Sequence, residues 1–97
     1  MFTRLKSEML TESKLAVIGL GYVGLPLAVE FGKYVPVLGY DVNNIRVTQL
    51  KDGLDVTREV DAVDLSQSVN LKFSSTQEDL SAANIYIVTV PTPIDEH

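Results

Sequence analysis

The chain has 97 residues, 45% apolar and 22% charged, a globular composition and not a disordered one. Its net charge of −5 argues against nucleic acid as a partner, yet leaves open a small phosphorylated ligand held by backbone amides. Cysteine is absent, which excludes disulfides, thiolate zinc sites and a cysteine nucleophile within these residues.

Residues 1–13 are polar and mixed in charge. Phe2, Leu5 and Met9 fall at helical spacing, so this stretch reads either as a short amphipathic helix or as a frayed end. It has no apolar h-region and carries Glu8 and Glu12, so it is not read as a signal peptide. No apolar run approaches about 18 residues, so no membrane span is expected. The expected compartment is the cytoplasm.

Leu15-Ala16-Val17-Ile18 is a short apolar run ending in glycine, as in a parallel strand buried on both faces. Gly19-Leu20-Gly21-Tyr22-Val23-Gly24 makes a turn, and a helix is expected from about Tyr22 to Lys33. Gly24, Leu27, Ala28 and Phe31 form its expected buried stripe, and Pro26 sits near the helix start, where a missing N–H costs little. A second strand runs over Val35 to Tyr40. Asn43 then caps a helix from about Asn44 to Asp52, with Gly53 as the residue beyond its end. Residues 54–70 are polar, with one helical turn near Ala62 to Ser66. Leu71 to Ser74 alternates like an edge strand, and Thr76 with Glu78 and Asp79 reads as the cap and acidic first turn of a short helix to about Ala83. Asn84 to Val90 is rich in β-branched residues and reads as a fourth strand, stopped by Pro91.

Strands alternating with helices imply an α/β fold: a Rossmann-type, doubly wound parallel sheet, first half only, with strand order 3-2-1-4. A parallel strand as apolar as the fourth is a poor bare edge. The expected organisation is an extension over 1–13 and a partial domain over 14–97, with further strands beside the fourth. That edge also predicts a homo-oligomer.

Three elements carry the candidate site. In the glycine turn, Gly19 allows the tight bend, Gly21 lets a pyrophosphate approach the backbone, and Gly24 lets the helix approach the sheet. N–H groups around Tyr22 and Val23 would face the phosphates, helped by the helix dipole. A turn selected only for close packing would look similar. Its place between a buried strand and a helix favours a dinucleotide. Asp41 ends the second strand near the expected spacing of about 20 residues, where a carboxylate accepts the ribose hydroxyls. A carboxylate there repels a 2′-phosphate, so NAD is favoured over NADP; the alternative is a turn-forming aspartate. Arg46, on the next helix, reads equally as reaching the adenosine edge or as a solvated charge. The third element is Val90-Pro91-Thr92-Pro93, where Val90 and Thr92 are cofactor-proximal by position and a proline-stiffened exit is the bland reading. Glu59 and Asp61 read as solvent-facing. The four tyrosines, Tyr22, Tyr34, Tyr40 and Tyr86, read mainly as packing residues, with Tyr22 able to flank a cofactor. His97 is given no role, and no metal site is expected.

Taken together, Gly19 to Ala28, Gly39-Tyr40-Asp41-Val42-Asn43 and Val88 to Pro93 resemble the NAD-binding domain of the UDP-glucose/GDP-mannose dehydrogenase family. Continued through Ile94-Asp95-Glu96-His97, the pattern is most similar to the UDP-N-acetylhexosamine 6-dehydrogenase branch, which makes uronic acids for surface polysaccharides. The resemblance spans residues 14–96 and only the front of the family's fold. It implies oxidation of a UDP-sugar C6 alcohol to the aldehyde, then through a cysteine-bound thioester to the acid, each hydride going to a separate NAD. The family's catalytic cysteine, lysine and asparagine lie further along, so no catalytic residue is assigned here and the chain is expected to be inactive alone. Three other readings stand beside it: a related 6-phosphogluconate or 3-hydroxyacid dehydrogenase, a non-catalytic NAD-sensing module, and a structural or interaction domain with a vestigial pocket.

Overall fold

The computed structural model describes residues 14–55, 58 and 60–89. The expected helix within 1–13, Glu59, the end of the fourth strand at Val90 and the Pro91-Thr92-Pro93 exit lie outside them.

Strand β1 (Leu15–Ile18) has Leu15, Ala16 and Val17 buried, as its unbroken apolar run requires. Helix α1 (Gly24–Gly32) follows the glycine turn, and β2 (Val37–Tyr40) begins just past Pro36. Helix α2 (Asn44–Lys51) starts where the Asn43 side chain accepts from Arg46 N–H at 3.1 Å. It ends in a Schellman arrangement: Leu54 N–H donates to Gln49 O, Gly53 N–H to Leu50 O, and Gly53 has φ of 81°. Helix α3 (Ala62–Gln67) and strand β3 (Leu71–Ser74) follow, then a 3₁₀ helix over Gln77–Ala82 and strand β4 (Ile85–Val88).

The four strands are parallel in the order β3-β2-β1-β4, as the sequence predicts. Ile18 aligns with Tyr40 on one side and Val88 on the other. Beyond the strands the ladder continues: Gly19 N–H donates to Tyr40 O and Thr89 N–H to Ile18 O, both at 2.8 Å. The core joins β1, α1, β2 and α2 around Val17, Leu20, Leu25, Val47 and Leu50, all essentially inaccessible. Strand β4 is far more open, with Ile85, Tyr86 and Val88 each exposed by 45% or more. Among the described residues, no helix is long and apolar enough to cross a membrane.

Two local expectations change. The buried face of α1 is Gly24, Leu25, Ala28, Val29 and Gly32, whereas Phe31 is exposed. The stripe is rotated because Gly32 is drawn against the entry to β3. A Cβ there would overlap Ser68 Oγ, and the Ser68 hydroxyl donates to Val29 O at 2.7 Å. The second change is the short helix before β4, which is 3₁₀ and not capped by the Thr76 side chain. Ser74 does that work: its hydroxyl accepts from Thr76 N–H at 2.9 Å and donates to Asp79 Oδ2 at 2.6 Å.

Gly24 sits where α1 crosses the end of β1, and a Cβ there would overlap the Gly19 carbonyl and Thr89 Oγ1. Backbone cannot yield as a flexible side chain does. Gly24→Ala is therefore expected to destabilise the fold by about 3 kcal/mol, the upper end for overpacking. Thermal unfolding checks this, and an unchanged melting temperature would contradict it.

Candidate functional site

The site lies at the carboxyl ends of the strands, where β1 passes into the glycine turn. Gly19 has φ of 100°, a conformation that glycine adopts readily and residues with a Cβ do not. Leu20 then buries its side chain completely. The peptide groups around it are fixed one after another. Thr89 Oγ1 donates towards Gly19 O at 2.8 Å. Leu20 N–H donates to Asp41 Oδ2 at 2.8 Å. Leu20 O accepts from Arg46 Nε at 2.9 Å and Nη2 at 2.6 Å.

Past Leu20 the turn opens. Gly21, Tyr22 and Val23 are exposed, and a Cβ at Gly21 would meet nothing within 4 Å. Among the described residues, the N–H groups of these three donate to no backbone carbonyl, and Val23 provides no side-chain cap for α1. Uncommitted amides at the positive end of a helix suit an anion.

Asp41 supplies the other half. Its Oδ2 receives Leu20 N–H and its Oδ1 receives Asn43 N–H at 2.9 Å. A carboxylate has about four lone-pair positions, so this orientation leaves acceptor capacity on both oxygens for a diol. Gly19, Leu20, Gly21, Asp41, Asn43 and Arg46 share one cleft of about 310 Å³. The donor amides and the diol acceptor, side by side, fit the pyrophosphate and ribose of a dinucleotide.

The expected residues therefore separate into groups. Gly19, Gly21, Asp41 and Arg46 meet in the cleft, Tyr22 and Val23 follow it on the surface, and Gly24 is buried against Gly19 and Thr89. Val90 and Thr92 lie outside the described residues. Arg46 is not a solvated helix charge: its side chain is 11% exposed, and Nη1 pairs at 2.9 Å with Asp55, whose side chain is 1% exposed. Of the tyrosines, only Tyr40 is a buried packing residue; Tyr22 and Tyr34 are each more than 70% exposed. The Tyr86 hydroxyl reaches Leu80 O at 2.6 Å and Ala83 O at 3.0 Å, closing the 3₁₀ helix. Asp61 is exposed, as expected. Two contributors carry weak sequence signals. Thr89 is marked only by the register that sets Val88 beside Ile18, and Asp55 is one acid among several in a polar stretch.

The model for the UDP-glucose/GDP-mannose dehydrogenase family, NAD binding domain, matches residues 13–97. The chain belongs to this family. NAD is accordingly its cofactor, and the 6-phosphogluconate or 3-hydroxyacid reading falls away. A UDP-N-acetyl-D-glucosamine 6-dehydrogenase of Pseudomonas aeruginosa is 57% identical over 84 residues, covering 87% of this chain and 20% of that protein. A UDP-N-acetyl-D-glucosamine 6-dehydrogenase of Salmonella typhi is 54% identical, covering 89% and 20%. Among solved structures, a UDP-D-ManNAc dehydrogenase from Pyrococcus horikoshii matches with a TM-score of 0.77 at 33% identity, over 84% of this chain and 21% of that one. The chain thus spans about a fifth of the length of these relatives.

Thr89 packs over Gly24 and holds the first carbonyl of the turn. Thr89→Val keeps the shape and removes the hydroxyl, and should cost about 1 kcal/mol. The urea midpoint reads this directly; a midpoint equal to wild type would show that the hydroxyl adds nothing.

Proposed function

We propose that this chain is the NAD-holding part of a UDP-N-acetylhexosamine 6-dehydrogenase, a protein that oxidises the sugar C6 alcohol to the uronic acid with two NAD for surface polysaccharide synthesis. The observation that carries the reading is the Asp41 carboxylate, locked beside a glycine turn whose outward amides donate to no backbone carbonyl among the described residues. The 57% and 54% identities to UDP-N-acetyl-D-glucosamine 6-dehydrogenases support an N-acetylhexosamine over a plain hexose.

In this reading Gly19 and Gly24 set the shape of the turn, and the N–H groups of Gly21, Tyr22 and Val23 hold the pyrophosphate. Asp41 receives the adenosine ribose hydroxyls and turns away a 2′-phosphate. Val90 and Thr92, which follow Thr89 in the chain, remain cofactor-proximal by the family pattern. Bound NAD supplies the hydride acceptor. The sugar and the catalytic cysteine belong to further residues of the protein, since this chain has no cysteine. Residues 1–13 are then an extension and 14–97 a partial NAD domain. The exposed face and edge of β4 support further strands beside it, and working compartment and assembly follow the family expectation of a cytoplasmic homo-oligomer.

The central test supplies NAD with UDP-N-acetylglucosamine, UDP-N-acetylgalactosamine and UDP-glucose to the protein continued beyond residue 97, and follows NADH absorbance. Two NADH per N-acetylhexosamine are expected. A folded protein that binds NAD and reduces it with none of these sugars contradicts the reading. Residues 1–97 alone should show no turnover. Asp41→Ala should weaken NAD binding about tenfold or more, the equivalent of at least about 1.4 kcal/mol for a charged hydrogen-bond acceptor. Calorimetric titration measures this, and unchanged affinity would remove Asp41 from the ribose site. By light scattering, residues 1–97 should self-associate through the open β4 edge; a monomer at high concentration would count against that.

A further inference from the structure

Arg46 lies in the cleft but does not offer its charge to it. Its guanidinium faces inward, with Nε and Nη2 on the Leu20 carbonyl and Nη1 on Asp55. Asp55 is in turn fixed by the loop it belongs to: its Oδ2 accepts from Val60 N–H at 3.0 Å, and its own carbonyl accepts from Arg58 N–H at 3.1 Å. Arg58 holds φ of 60°, unusual for a residue with a Cβ.

The Leu20 carbonyl and the Gly21 N–H belong to the same peptide unit. That unit is planar and trans, so the two groups point in opposite directions. A carbonyl pulled towards Arg46 forces the Gly21 N–H outward. Glycine on the far side of this peptide would tolerate a flipped arrangement at little steric cost. Among the described residues no hydrogen bond from within the turn holds this peptide, and a flipped peptide would present a carbonyl oxygen to an anionic ligand.

We infer that Arg46, oriented by Asp55, is a positioning residue for the cofactor: it locks the Leu20–Gly21 peptide so that the Gly21 N–H faces the pyrophosphate. The inference deepens the NAD reading and rests on it. Asp55 thereby becomes part of the cofactor site through Arg46. Arginine is needed because one planar fork serves a carbonyl and a carboxylate together; a lysine ammonium reaches one of the two stations well.

The test compares wild type, Arg46→Lys and the double variant Arg46→Met/Asp55→Asn in the intact protein. The double variant removes both buried charges and so avoids stranding one, a change that folds often tolerate. Folding is checked by circular dichroism and thermal melting, and NAD affinity by calorimetry at a temperature where each protein is fully folded. A merely structural ion pair would alter melting and leave the affinity of the folded protein unchanged. A positioning role raises the NAD dissociation constant at least tenfold in the folded double variant and severalfold in Arg46→Lys. Folded variants that bind NAD within twofold of wild type would overturn the inference. If the double variant does not fold, Arg46→Lys decides by the same criterion. Wild type that fails to bind NAD would overturn the underlying NAD reading and this inference with it, an outcome distinct from a difference between variants.

Discussion

Parallel pairing of β1 between β2 and β4 sets Ile18, Tyr40 and Val88 abreast, and the site depends on that register. Each strand then ends on a residue that reaches its neighbour: Gly19 from β1, Asp41 from β2, Thr89 from β4. A slip of one residue would turn Asp41 to the opposite face of the sheet and leave Leu20 N–H without its carboxylate. The same register is fixed by burial of Val17 and Val37 in the core, so the packing that stabilises the fold also assembles the site.

A chain of net charge −5 binds an anionic cofactor in this account. The attraction is local and comes from backbone dipoles: amides at the start of α1, which no side chain among the described residues caps. The nearby cation is turned inward and neutralised by Asp55. Arg46 thus acts on the direction of a peptide group, and the negative charge of Asp41 is directed to hydroxyls. Bidentate attraction to phosphate, the common use of an arginine beside a nucleotide, is not what this geometry provides.

The features legible in the sequence were those set by short-range backbone demands. Gly19 had to permit a positive φ, Gly24 a close crossing, and Asn43 and Gly53 the two ends of α2. Strand order followed from the alternation of strands and helices, and Asp41 from its distance beyond the turn. What escaped were contacts made across the fold. Phe31 fits the helical period as well as Val29 does; only the approach of Gly32 to Ser68 and Leu71 selects the face. Ser74 displaced Thr76 as the organiser of the 3₁₀ helix because its hydroxyl reaches both Thr76 N–H and Asp79. The Arg46–Asp55 pair joins residues whose partnership no local pattern marks, and Thr89 gains its role only when β4 is laid beside β1.

The central claim is that NAD is held by the turn between β1 and α1 and by the end of β2. Amide NMR spectra of the ¹⁵N-labelled protein, recorded during titration with NAD, test it most directly. The largest shifts should fall on Gly21, Tyr22, Val23 and Asp41, with smaller ones on Leu20 and Thr89. Saturable shifts confined to another surface, such as the groove between α2, α3 and β3 around Leu50, Leu65 and Phe73, would contradict it.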